Sequence, residues 1–143
     1  MFKKIDHVGV VVSNLDEARD FFLQFGFEVV KRGMLNGEWI DKILKLSNVK
    51  AEYIALAIPG TQTNLELLKF YNPQGDKDKN ISMANQMGFR HIAIEVKNIE
   101  KIVENLKNKG VKFFSDIQIY NEKKKLCYFL GPEGIILELA EYT

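Results

Sequence analysis

The decapeptide His91-Ile92-Ala93-Ile94-Glu95-Val96-Lys97-Asn98-Ile99-Glu100 has a counterpart earlier in the chain, His7-Val8-Gly9-Val10-Val11-Val12-Ser13-Asn14-Leu15-Asp16, that follows it position for position. The offset is 91 − 7 = 84, and it still holds at the next landmark, where Gly110 follows Gly26 by the same amount. A gap-free offset of this kind marks an internal repeat. The two copies begin with the only two histidines in the chain.

Working outward, each copy opens with a short β-branched run that reads as a buried strand, over residues 5–12 and 91–96. A polar residue, Asn14 or Asn98, then supplies a helix N-cap. Glu17, three residues after Asn14, completes a pattern similar to a capping box. Leu15, Ala18, Phe22 and Phe25 recur at helical spacing up to Gly26, as do Ile99, Ile102, Val103 and Leu106 up to Gly110. Further strands are expected over 27–32, 50–58 and 63–70 in the first copy. In the second they are expected over 111–114, 117–120, 126–130 and 135–139. Leu137-Glu138-Leu139 echoes Leu65-Glu66-Leu67 at an offset of 138 − 66 = 72, so the second copy is shorter by twelve residues (84 − 72). The segment around Trp39, which reads as a short amphipathic helix, accounts for the difference as an insertion. Residues 72–87, with Pro73, Gly75 and the run Asp76-Lys77-Asp78-Lys79-Asn80, form the one linker-like stretch.

Composition narrows the class. A chain of 143 residues, 46% apolar and 27% charged, reads as a compact globular protein. Its formal charge of +1 gives no general reason to bind nucleic acid or an anionic membrane. Cys127 is the only cysteine, which excludes an intrachain disulfide and suits a reducing compartment. The first apolar run is too short to span a membrane and has no small-residue cleavage site. A cytoplasmic location is expected.

Strand alternation then sorts the side chains by face. Val8, Val10 and Val12 share one face of the first strand, and His7, Gly9 and Val11 the other. Ile92, Ile94 and Val96 are set against His91, Ala93 and Glu95 in the same way. The branched faces suit packing under the helices, while Gly9 and Ala93 leave space beside the histidines. Glu66 and Glu138 each point away from a flanking leucine pair. A single strand histidine is ordinarily a partly exposed residue with no ligand role. A carboxylate inside an apolar strand is costly unless paired. Because the repeat correlates His7, Glu66, His91 and Glu138, the four are candidates for a joint divalent-metal site: Zn, Ni, Co, Mn or Fe(II). Glu95 has no repeat partner and is read as a rim residue. Trp39, Phe70, Tyr71 and Tyr128 are read first as core packing and second as pocket lining. Cys127 is read as structural.

The phrases Asp6-His7-Val8-Gly9-Val10, Asn64-Leu65-Glu66-Leu67, Gly88-Phe89-Arg90-His91-Ile92-Ala93 and Gly131-Pro132-Glu133-Gly134-Ile135-Ile136-Leu137-Glu138-Leu139 resemble the vicinal oxygen chelate superfamily. That superfamily includes glyoxalase I, methylmalonyl-CoA epimerase, extradiol dioxygenases, fosfomycin-resistance enzymes and bleomycin-binding proteins. The resemblance covers essentially the whole chain. It implies an α+β fold of two βαβββ modules in tandem forming an open, cupped mixed sheet, one domain over 1–143 with module one at 1–71, the linker at 72–87 and module two at 88–143. It places His7, Glu66, His91 and Glu138 on the four family metal positions and implies a divalent cofactor (Zn, Ni, Co or Mn). A small-molecule substrate as partner and a homodimer are also implied.

The His-Glu-His-Glu set looks most like that of bacterial glyoxalase I. The resemblance therefore implies a metal-dependent lyase or isomerase of the glyoxalase I (lactoylglutathione lyase) type. Such an enzyme abstracts a proton next to a carbonyl while the metal stabilises an enediolate. Glu138 is then the principal base and Glu66 its pseudo-symmetric partner. Two alternatives are a methylmalonyl-CoA-epimerase-like enzyme, whose family often carries Gln where Glu66 stands, and a non-catalytic antibiotic-binding protein. Arg32 and Lys69 are weighed as partners for an anionic substrate but read as surface charges. Arg90 alternates away from His91.

Overall fold

The structure is a computed structural model that describes residues 1–143. It divides into two compact units, Met1–Lys77 and Asp78–Thr143, with the division inside the linker-like stretch 72–87. The first unit runs β1 (His7–Val11), α1 (Leu15–Leu23), β2 (Glu28–Asn36), α2 (Glu38–Leu44), β3 (Lys50–Ala57) and β4 (Asn64–Asn72). The second runs β5 (His91–Glu95), α3 (Ile99–Asn108), β6 (Gln118–Tyr120), β7 (Lys124–Leu130) and β8 (Ile136–Tyr142). Each unit holds a four-stranded sheet, of order β1-β4-β3-β2 in one and β5-β8-β7-β6 in the other. First and last strands pair in parallel and the rest antiparallel. This is the expected α+β architecture of tandem βαβββ modules, with the hydrogen bonding shared between two mixed sheets.

Each unit builds its core on one sheet face. Leu15, Ala18 and Phe22 of α1 are buried together with Val10, Val12, Ile54, Leu56, Leu65 and Leu67. Ile99, Val103 and Leu106 of α3 are buried with Ile94, Cys127, Phe129, Leu137 and Leu139. Fully burying one such side chain contributes about 1.5–3 kcal/mol. These stripes therefore dictate which sheet face is covered, and the opposite faces are left for His7, Glu66, His91 and Glu138.

Strand register locates the insertion. Leu56 pairs with Leu65 and Phe129 with Leu137, so the offset is 129 − 56 = 73 at β3/β7 and 137 − 65 = 72 at β4/β8. Nearly all of the drop from 84 thus falls between β2 and β3, where α2 lies. Ile40 of α2 is buried with Val49 and Ala51, and Leu35 and Phe70 pack against this cluster. Leu35, Ala51 and Phe70 alternate onto the Glu66 face, so the insertion folds over one end of that face.

Several local readings change. Residues 111–114 do not form a separate strand: Phe113 and Phe129 make an isolated bridge, and the chain resumes pairing with β7 only at β6. Side-chain bonds to the Asp116 carbonyl, from Ser115 Oγ at 2.8 Å and Gln118 Nε2 at 3.1 Å, occupy the turn between the two pieces. Asn14 caps α1 as expected, its Oδ1 accepting from Glu17 N at 3.0 Å. Asn98 does not repeat this: it sits at φ 61° with no side-chain cap bond, and its N–H donates to the Glu141 carboxylate. From Asp78 onward the expected linker belongs to the second unit. Arg90 bonds the carbonyls of Asn80 (3.2 Å) and Met83 (3.3 Å), and Ser82 Oγ donates to the Gly134 carbonyl at 2.7 Å. No helix is long and apolar enough to cross a membrane.

Candidate metal centre

In the first unit, parallel pairing sets Gly9 beside Glu66 and places His7 two residues back on the same face. His7 Nε2 lies 3.7 Å from Glu66 Oε2. Its other ring nitrogen, Nδ1, is 2.8 Å from Asp6 Oδ2. That bond and the nearby Glu66 charge raise the His7 pKa above the ordinary histidine value, with burial opposing; the Asp6 bond is the larger cause. A carboxylate on Nδ1 also favours the tautomer whose Nε2 carries a lone pair, the usual support for a metal-ligating histidine.

The second unit repeats the backbone. Ala93 pairs with Glu138, and His91 Nε2 lies 3.5 Å from Glu138 Oε1. The surroundings differ. Position 90, the equivalent of Asp6, is an arginine turned to carbonyls elsewhere. His91 instead meets Tyr128, with ring centroids 5.0 Å apart and the hydroxyl 3.4 Å from Nε2. Glu138 is the one buried charged residue, 5% exposed. Lys124 Nζ lies 3.1 Å from its Oε2. Lys124 is the ionic partner of this buried oxygen, and no other group donates to it.

Each unit therefore brings together one histidine and one glutamate of the sequence-predicted set. No group of three or more His, Cys, Asp or Glu side chains able to hold an ion forms within either unit. The donor chemistry of each pair, an imidazole nitrogen facing a carboxylate oxygen, fits a divalent ion of intermediate hardness. Three neighbours were not singled out by sequence reasoning for this role. Asp6 precedes His7 in the quoted phrase, Tyr128 is the register mate of Glu138, and Lys124 sits four register pairs along on the same face.

Other candidates lie away from these faces. Arg32 is held by Glu52 at 2.9 Å and Asp16 at 3.6 Å on the α1 side of the sheet, where Lys69 also lies, 4.9 Å from the Tyr71 ring centre. Trp39 is 54% exposed, which corrects its reading as a core residue. Tyr71 is also exposed and its hydroxyl donates to Glu52. Phe70 and Tyr128 are half-buried on the Glu66 and Glu138 faces.

Comparison with known proteins agrees with this architecture. The chain matches the Glyoxalase/Bleomycin resistance protein/Dioxygenase superfamily over residues 4–139, and it belongs to that family. It is similar to 2-epi-5-epi-valiolone epimerase from an Actinomyces species, with 28% identity over 94% of this chain and 77% of that protein. Glyoxalase I of Saccharomyces cerevisiae is 33% identical over 55% of this chain and 25% of its own length. Among solved structures, a glyoxalase family protein from Bacillus cereus superposes with a TM-score of 0.93 at 28% identity, covering 99% of this chain and 95% of that one.

Proposed function

We propose that the protein is a divalent-metal-dependent lyase or isomerase that moves a proton on a carbon next to a carbonyl, of the glyoxalase I type. The observation that carries this reading is the duplicated His–Glu pair, with Nε2 facing a carboxylate at 3.7 Å in one copy and 3.5 Å in the other. His7, Glu66, His91 and Glu138 would hold the ion. When bound, such an ion supplies Lewis-acid stabilisation of negative charge on a substrate oxygen.

The chain's own residues do the rest. Glu138 is the principal base: one oxygen takes the proton as the C–H bond breaks, and the electron pair passes toward the carbonyl oxygen. In an isomerisation the same carboxylic acid returns the proton to the neighbouring carbon, whereas an epimerisation requires a proton delivered to the opposite face of the original carbon. Glu66, in the equivalent place, is the second acid–base group. Burial of Glu138, which is 5% exposed, keeps bulk water from the transfer.

Glu138→Gln tests the assignment. The variant keeps its shape and is expected to retain bound metal while losing about 10²–10⁴-fold in turnover. Full activity with metal bound would end the role of Glu138 as base.

A second reading, an epimerase, is favoured by a specific observation: the similarity to an epimerase runs over 94% of this chain, against 55% for glyoxalase I. Assays with methylglyoxal and a panel of thiols separate the two. Isomerisation of the hemithioacetal supports the first reading. Solvent deuterium exchange into 2-methyl thioesters or cyclic hydroxyketones, without hemithioacetal turnover, supports the second. Protein that binds no first-row divalent ion, even after reconstitution, would overturn both.

A further inference from the structure

The two glutamates are equivalent in backbone but not in charge. On the Glu138 face, Glu138 pairs with Tyr128 and Lys124 with Tyr142, so the two ionic residues are not opposite one another. To come within 3.1 Å of Oε2, the Lys124 side chain runs back along the face past the Leu126–Ala140 pair. Ala140 is buried and presents only a methyl group, which leaves this lane open. The ammonium also lies 5.4 Å from the centre of the Tyr142 ring.

The same lane is closed in the first unit. Ala140 corresponds to Leu68 (140 − 72) and Lys124 to Ala51 (124 − 73), and Ala51 is buried in the cluster with Ile40. No lysine or arginine pairs with Glu66, whose ionic neighbour is His7. Glu66 is also the more open of the two, with 24% of its side chain exposed against 6% for Glu138.

We infer that Lys124 is a positioning residue that commits Glu138 Oε2 and leaves Oε1, the oxygen facing His91, as the atom available to the ion and to the proton. The inference rests on the metal-dependent reading and adds an asymmetry to it: Glu138 is the anchored carboxylate and Glu66 the free one. A buried carboxylate is costly without a cation, and Lys124 supplies that cation in the metal-free protein. The pairing in turn lifts the Lys124 pKa above the ordinary lysine value, against the effect of burial.

The test uses the full chain with Lys124→Met and Lys124→Arg, alone and combined with Glu138→Gln. In metal-free protein, Lys124→Met is expected to lower the denaturation midpoint in the Glu138 background and to have little effect beside Glu138→Gln. Additive effects would overturn the anchoring. Calorimetric titration with Mn²⁺ alone is the second arm. Removing one positive charge from beside a divalent ion is expected to tighten binding by roughly tenfold, and Lys124→Arg to return it to within about threefold of wild type. Unchanged Mn²⁺ affinity in a folded Lys124→Met variant would overturn the inference. If the wild-type chain takes up no Mn²⁺, the metal-dependent reading fails by itself. The metal-free coupling then still decides whether Lys124 commits Oε2.

Discussion

Cys127 and Tyr128 are neighbours on β7 that face opposite ways, and the difference sets their chemistry. Cys127 pairs with Leu139 on the α3 side and is 3% exposed; burial pushes its thiol up to about 11, with Lys107 opposing weakly. Such a thiol is protonated near neutral pH and shielded from reagents. Alkylation by iodoacetamide at pH about 8 is expected to be at least on the order of 10²-fold slower in the native protein than in the unfolded chain, read by mass spectrometry. Rapid native labelling would show that the α3 side opens. The structural reading of Cys127 was available from the apolar residues around it. Alternation also sorted His7, Glu66, His91 and Glu138 onto the faces away from the helices. Lys124 was not legible in this way, because its partner is neither its register mate nor a neighbour in sequence. The reach to Glu138 depends on Ala140 being small, which only a known strand order reveals.

At the scale of elements, the repeat predicted β1, α1, β5 and α3 closely, since each carries its own buried stripe and its own cap or glycine stop. The second strand of module two was less legible. Phe113 satisfies the strand pattern locally and stacks on Phe129, with ring centroids 5.3 Å apart, but the Ser115-Asp116 turn breaks the ladder before β6. Helix α2 is too short to be stable alone, and Ile40 is its one buried residue. Ile40→Ala is therefore expected to cost about 2–4 kcal/mol locally, and to be seen as faster amide exchange confined to α2 and the adjoining end of β3. Exchange rising equally in α1 would contradict the local docking. On the α1 side of the sheet, Arg32 of β2, Glu52 of β3 and Tyr71 of β4 tie three strands together. The Tyr71 and Arg32 bonds hold the Glu52 carboxyl below its ordinary value of 4.5. A depressed carboxylate contributes stability that is present above that ordinary value and is lost as pH falls through the native value. The melting temperature of Glu52→Gln should accordingly lie below wild type near neutral pH, and the gap should close on acidification well below 4.5. A gap that widens in acid would show that Glu52 is not the charged partner.

For the whole molecule, the decisive question is whether the two His–Glu pairs act together or separately. Each unit offers one imidazole and one carboxylate, which by themselves make a poor cage for a transition metal. If the pairs act together, the wild-type protein binds one divalent ion per chain and not two. His7→Ala and His91→Ala should then each abolish tight binding, although each leaves the other pair intact. Metal analysis after exhaustive dialysis against metal-free buffer measures this directly, and two independent ions per chain would refute the shared site. The same variants reveal where the complementary pair comes from. When they are mixed, unfolded and refolded together, a site built within one chain stays empty, because every chain lacks one histidine. In a two-fold dimer whose sites are shared between subunits, each mixed dimer joins one intact pair from each chain into one complete site. Random pairing makes half of the dimers mixed, so about a quarter of the wild-type metal capacity returns. The sequence repeat alone could not separate these assemblies, because His7, Glu66, His91 and Glu138 are the same four residues in both.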